Sequence, residues 1–183
     1  VANQGLVLAF TFLLPDILSA RSCHNWLCMG GGHLCFILGS ALTMIPAGWL
    51  CDKYGQKKVL LTVIGSAAFL FYTFLISPPS TLGGTAILLA VLGAFMGIIN
   101  PIIVSWGNRL VPESPSTVSA LLMGFAWCFS SLGPACAGIL AKYYLEEPYI
   151  NAITCLGYLL LLISLMPRPA PKDLPIPETI KRD

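Results

Sequence analysis

Few side chains in this sequence are equipped for chemistry, and most of them sit alone inside long apolar runs. Asp16 lies near the outer end of the first run and His33 in the outer part of the second. Asn100 lies in the fourth, and Trp127, Ser130 and Ser131 in the fifth. An ionisable group in a hydrocarbon core is costly and marks a functional role by default. Asp16 can carry a coupled proton, or pair with the nearby Arg21 at the interface. His33 can titrate with a substrate, or hydrogen-bond to a neighbouring helix. Trp127, well inside its run, can stack on a substrate or simply pack. An intramembrane enzyme needs a nucleophile and a base on facing helices at one depth. His33 lies toward the outer side and Ser130 nearer the middle, and neither paired carboxylates nor an HExxH spacing is present. No enzymatic activity is expected.

Seven cysteines include no CxxC pair. Cys23, His24, Cys28 and His33 can be drawn as a metal cluster. Cys23 and Cys28, however, flank a loop while His33 lies deeper in a helix, which leaves no obvious tetrahedral shell. The reading is loop and packing, with no metal and no cofactor. The other five, Cys35, Cys51, Cys128, Cys136 and Cys155, read as small hydrophobes.

The elements that position these residues follow from composition. Of 183 residues 56% are hydrophobic and 10% charged, with a mean hydropathy of +0.81. A soluble domain carries about 25% charged residues, and a disordered chain is polar and charge-rich. A net charge of +2 is too small for a nucleic-acid binder, which must neutralise many phosphates. What remains is an all-α membrane protein in contact with the lipid bilayer. A span needs about 20 apolar residues, and six runs qualify: 2–20, 26–50, 59–76, 85–106, 117–143 and 149–166. Turn residues divide them, notably Ser77-Pro78-Pro79-Ser80 and Val111-Pro112-Glu113-Ser114-Pro115. The alternation of a membrane barrel is absent. Residues 167–183 are Pro-rich and polar and read as a solvated tail.

Lys and Arg set the orientation. With the tail inside, eight of the ten basic residues face the cytoplasm: Lys53, Lys57, Lys58, Arg109, Arg168, Lys172, Lys181 and Arg182. Only Arg21 and Lys142 lie outside, the bias that the positive-inside rule requires. Both termini are then cytoplasmic, in a plasma (inner) membrane. Trp26, Tyr143, Tyr144 and Tyr149 fall at the outer boundary, and Trp49 and Trp106 at the inner one. The chain opens at Val1, almost within the first run and with no signal-peptide pattern, which reads as a cut upstream of a helix.

Two of the prolines inside spans have a mechanical reading, at Asn100-Pro101 and Gly133-Pro134. Each removes a backbone donor, so a kink or break is expected there, and Pro101, Gly133 and Pro134 are candidate hinges. Pro46-Ala47-Gly48 near the end of span two has a counterpart in Pro134 and Ala137-Gly138 of span five. Spans two and five are three apart and oppositely oriented, the relation expected of a 3+3 inverted repeat. Chance likeness between two Ala/Gly-rich helix ends is the other account.

After span two the sequence runs Gly48, Leu50, Asp52, Lys53, Gly55, Gln56, Lys57 and Lys58. A glycine lets helices approach closely, Gly55 permits a tight turn, Asp52 can accept at a helix N-terminus, and the lysines anchor at anionic headgroups. This spacing resembles the signature G-x-L-x-D-[RK]-x-G-[RK]-[RK]-[RK] of the major facilitator superfamily, with Gln56 standing where a cation is usual. The resemblance implies a conformational latch at Gly48, Asp52, Lys53, Gly55, Lys57 and Lys58. It also implies a twelve-helix transporter of which this six-helix chain is one half. The fourth span opens Gly84-Thr85-Ala86-Ile87 without the Arg usual in first halves. The segment from Leu110 through Pro112, Val118 and Ser119 to Gly124 resembles the tenth-to-eleventh helix junction of fosmidomycin-resistance-type exporters. Ser114 there replaces a cation and Ala120 a glycine.

The resemblance therefore implies a C-terminal half that lacks its N-terminal six-helix partner, with a small-molecule substrate between the two. It implies a secondary transporter, as proton-coupled efflux. The third and sixth spans of such a half lie outermost, and here 59–76 and 149–166 carry no charge. The pathway candidates are Asp16, His33, Asn100, Trp127 and Ser130. The alternatives are an importer of a metabolite, or a self-contained six-span protein such as a channel subunit or assembly factor.

Overall fold

Apolar chain in a bilayer has no water for its backbone polar groups, and only a helix satisfies them within one segment. The structure, a computed structural model, describes residues 2–77, 79, 81–144 and 147–165. Among these residues the helices are α1 (Ala2–Ala20), α2 (Gly32–Tyr54), α3 (Gln56–Ile76), α4 (Leu82–Gly97), α5 (Ile99–Leu110), α6 (Pro115–Ser130), α7 (Leu132–Ala141) and α8 (Pro148–Leu165). A π-helical turn, Leu27–Gly31, leads into α2. Asn3–Ala20, Leu27–Tyr54, Gln56–Ile76, Leu82–Leu110 and Pro115–Ala141 are each long and apolar enough to cross a membrane. With the 18-residue α8 they form an all-α six-helix membrane domain. The polar tail expected over 167–183 lies outside the described residues.

Proline chemistry shapes the long segments. The fourth is interrupted at Ile98, one turn before Pro101, which cannot donate to the Gly97 carbonyl and whose ring crowds it. The fifth is interrupted at Ser131, ahead of Pro134. Pro115 and Pro148 open α6 and α8, where a missing N–H costs nothing. In the second segment the kink falls at Gly30, whose φ of 120° only glycine adopts readily.

The core is built around α1. Ala9, Phe10, Leu13, Leu14, Ile17 and Leu18 are buried, a three-and-four spacing that puts them on one helical face. The Phe10 ring meets Phe36 of α2 at 5.8 Å and Phe71 and Phe74 of α3 at 5.5 and 5.6 Å. Around it α1 packs on α6, α7 and α8, α2 on α4, and α3 on α4 and α5. Two crossings bring backbones into contact. A Cβ at Gly39 would strike the Ala90 carbonyl, and one at Gly93 the Phe36 carbonyl, so α2 and α4 touch through glycine. A Cβ at Gly133 of α7 would likewise strike the Gly5 carbonyl of α1. The close approach expected of Gly48 is thus made elsewhere on α2. Gly48 itself is exposed, with nothing of this chain within 4 Å of its Cβ position.

Arg21 does not pair with Asp16. Its guanidinium donates to the Phe74 carbonyl at 2.7 Å and to the Leu75 carbonyl, and lies over the Phe74 ring. It thereby caps the C-terminus of α3, where carbonyls lack helical partners and the helix dipole favours a cation. Burial pushes this guanidinium below its ordinary value, and the Glu147 carboxylate pushes it back up.

The glycine crossings give the fold a direct check. Gly93→Ala should destabilise the protein by about 1–3 kcal/mol by forcing α2 and α4 apart. Gly65→Ala, where the Cβ position is open, should be neutral or slightly stabilising, since alanine is the better helix former. Thermal midpoints in detergent distinguish the two, and equal shifts would show that the crossing is not tight.

Candidate functional site

The most heavily functionalised place is the corner between α2 and α3. A single residue, Gly55, joins them, at φ 85° and ψ 139°, a conformation that excludes residues with a Cβ at low cost. Its N–H still bonds the Cys51 carbonyl at 3.0 Å and its carbonyl accepts from Val59 N–H at 3.2 Å. Residues 51–58, a loop by sequence, thus belong to the two helix ends and their one-residue hinge.

Two links fasten this corner to α5, and a third ties α5 to α6. Asp52 accepts from the Arg109 guanidinium at 2.9 Å. Gln56 is buried and its amide donates to the Ser105 hydroxyl at 2.8 Å. Asn108 in turn donates to the Ser119 hydroxyl of α6 at 2.9 Å. The two sequence motifs, distant along the chain, therefore meet through one face of α5. The links differ in strength. The Asp52–Arg109 side chains are 71% and 60% exposed, and an exposed ion pair is worth about 0–1 kcal/mol. Gln56–Ser105, with its amide withdrawn from solvent, is the firmer contact. Lys53 lies over the Trp49 and Tyr54 rings at 4.9 and 5.3 Å, and Lys57 and Lys58 are exposed.

Mid-span, a cavity of about 290 Å³ opens between α5 and α6, and Asn100, Met123, Phe125 and Trp127 are among its lining residues. The Asn100 amide also donates to the Gln4 side chain of α1, and Gln4 is buried. Asn100 and Trp127 are thus brought together. Ser130 is not exposed to that cavity, being buried with its Cα beside the Cβ position of Gly5, and Ser131 bonds the Cys128 carbonyl at 2.6 Å.

The outer-half residues go elsewhere. Asp16 is exposed on the face of α1 opposite the core. His33 Nε2 lies 2.5 Å from the Thr11 carbonyl. That carbonyl has lost its helical partner, because the residue four positions on is Pro15, which has no N–H. His33 supplies the missing donor from α2, which places the proton on Nε2. Among the described residues no three His, Cys, Asp or Glu side chains gather as a metal would require.

The sequence pattern of the Major Facilitator Superfamily matches residues 9–182. The chain belongs to this superfamily. It is similar to the fosmidomycin resistance protein of Escherichia coli (strain K12), at 28% identity over 139 residues, which is 75% of this chain and 33% of that protein. An uncharacterized MFS-type transporter, YfkF of Bacillus subtilis (strain 168), is 30% identical over 105 residues, 56% of this chain and 26% of that one. Protein ZINC INDUCED FACILITATOR-LIKE 1 of Arabidopsis thaliana is 29% identical over 114 residues, with 62% and 23% covered. The chain therefore spans well under two thirds of the length of these relatives. No solved structure matches it significantly.

In this superfamily chain, sequence reasoning missed Arg109, Ser105 and Gln4 as partners of motif residues. A signal was present for the first two. Ser105, Asn108 and Arg109 recur at three and four, so they share one helical face, and that face is the polar one of α5. Gln4 carried no such signal.

The His33 contact has a sharp test. His33→Ala should cost about 1–3 kcal/mol, the penalty of an orphaned buried carbonyl. In a Pro15→Ala background, where residue 15 regains its N–H, the same change should cost far less. A double-mutant cycle on thermal midpoints measures the difference, and additive effects would remove the assignment.

Proposed function

We propose that this chain is the C-terminal half of a twelve-helix secondary transporter that exports a small solute by alternating access, coupled to protons. The observation that carries the reading is where apolar surface stays uncovered. Of the first five spans, the second and fifth are the least buried, at 22% and 17% of their apolar stretches against 39% for the first, third and fourth. Their exposed residues include Ile37, Leu42, Ile45 and Trp49 on one and Leu121, Phe125, Trp127 and Phe129 on the other. These two spans change places under a 3+3 inverted repeat. The neighbour pairs obey the same exchange: α2 on α4 answers α1 on α7, and α3 on α4 answers α8 on α1.

A second six-helix bundle laid on both faces encloses the Asn100–Trp127 cavity as a small-molecule site. Exposed Gly48 leaves room for one of its helices beside Asp52. Asp52 and its cations act as the latch that holds one state, weak enough to open in each cycle. Pro101, Gly133 and Pro134 serve as hinges beside the breaks at Ile98 and Ser131. Likeness to a protein named for fosmidomycin resistance supports export. Asp16 is the one acidic residue within the six apolar runs of the sequence, exposed and without an ion-pair partner among the described residues, and it takes the coupled proton.

In cells stripped of other exporters, the intact protein should lower accumulation of at least one compound in a panel that starts with fosmidomycin. Asp52→Asn should cut that export up to about fivefold, which corresponds to roughly 1 kcal/mol, without reducing the amount inserted in the membrane. Wild-type export by this variant would remove the latch. Asp16→Asn should retain substrate binding yet lose the response of transport to an imposed pH gradient in proteoliposomes. An unchanged gradient response would move proton coupling to another group.

A further inference from the structure

A separate groove of about 490 Å³ runs between α2, α3 and α4, apart from the Asn100–Trp127 cavity. Its walls are apolar, with Ala47 and Leu50 from α2, Val59 and Val63 from α3, and Phe95 from α4. From Thr43 to Tyr54 it follows α2 for about 16 Å at 1.5 Å per residue, a long narrow shape suited to an alkyl chain. Tyr54 and Lys58 line its end at the α2–α3 corner, and Lys53 sits over the Tyr54 ring. The charge there is uncompensated. Asp52 is already engaged by Arg109, and among the described residues none of Lys53, Lys57 and Lys58 is in an ion pair. Beside the groove Leu61 and Ile64 of α3 are exposed and apolar, as a surface in contact with lipid is.

We propose that this groove binds one acidic phospholipid, an acyl chain between α2 and α3 and its phosphate on Lys58, with Lys53 and the Tyr54 hydroxyl close by. A neutral lipid fills the groove equally well but leaves the cations unpaired, so the site selects for headgroup charge. Occupancy ties the end of α2 to the start of α3 across Gly55. This binding does not depend on what the protein transports.

Native mass spectrometry of the intact protein in micelles, titrated with dioleoyl-phosphatidylglycerol or dioleoyl-phosphatidylcholine, tests the proposal. One phosphatidylglycerol should bind in preference to phosphatidylcholine. Lys58→Gln should weaken it about fivefold, the worth of one lysine at an anionic headgroup, and narrow the discrimination between the two lipids. Thr62→Trp, which fills the groove from an exposed position, should block both lipids. Lys57→Gln, adjacent but outside the groove, should leave binding largely unchanged. Equal losses from Lys57→Gln and Lys58→Gln would reduce the effect to diffuse surface charge and overturn the site. So would undiminished phosphatidylglycerol binding by Thr62→Trp. Because lipid binding is read without transport, its failure is distinct from failure of the transporter reading.

Discussion

Two glycine crossings set the geometry on which everything else depends. In a bilayer an apolar side chain gains little by facing another helix rather than a lipid tail, so association rests on close packing and on hydrogen bonds. The α2–α4 contact supplies both. Gly39 and Gly93 let carbonyls occupy the space a methyl group would take, and the Thr43 hydroxyl comes within 3.1 Å of the Ala94 carbonyl. Immediately beyond this contact the fourth span breaks at Ile98. The break redirects α5, and the redirection carries Ser105 and Arg109 onto the α2–α3 corner. On the other side of the molecule Gly5 and Gly133 fix α1 against α7. With both crossings set, the two α6-facing features follow: the Asn108–Ser119 tie and the cavity at Trp127.

Polar groups inside the bundle are distributed by strength. The contacts that brace the interior are buried or partly buried: His33 to the Thr11 carbonyl, Arg21 to the end of α3, Asn100 to Gln4. Leaving any of their partners unpaired in hydrocarbon is expensive, which makes them permanent features of the six-helix unit. The Asp52–Arg109 pair is the opposite case, because water and headgroups can replace either partner at little cost. A conformational cycle needs links of the second kind at the corner and of the first kind within the bundle. The corner holds one link of each kind, the exposed Asp52–Arg109 pair and the buried Gln56–Ser105 bond.

Much of this architecture was legible in sequence because it is local. Apolar run length gives spans, proline gives breaks within a turn of Pro101 and Pro134, and Gly55 marks the one-residue corner. What was not legible depends on helical phase across long separations. Asp52 and Arg109 meet only because α2 and α5 are rotated so that they do. Arg21 and Asp16, five residues apart, suggested a pair by proximity. Asp16 instead faces away from the core, and the guanidinium, with five donors in a planar fork, finds two terminal carbonyls of α3. Gly48 illustrates the same limit. A motif says that a glycine is present, and the rotation of the helix decides whether it faces Gly93's neighbour or open surface.

The chemistry available at mid-membrane constrains what the proposed site can recognise. The Asn100–Trp127 cavity offers one amide, one indole and an otherwise apolar wall, and no charged residue is among its lining. An amide orients a polar group by hydrogen bonding, and an indole stacks on flat or apolar surface. Neither neutralises charge. Asp16 lies in the C-terminal half of α1 and is not among the residues that line the cavity. Under the proposed function, the counter-charge for a charged solute would come from helices that face this chain across the cavity. In the proposed transporter this six-helix unit would contribute shape and stacking, and the selection of charge would belong to what covers it.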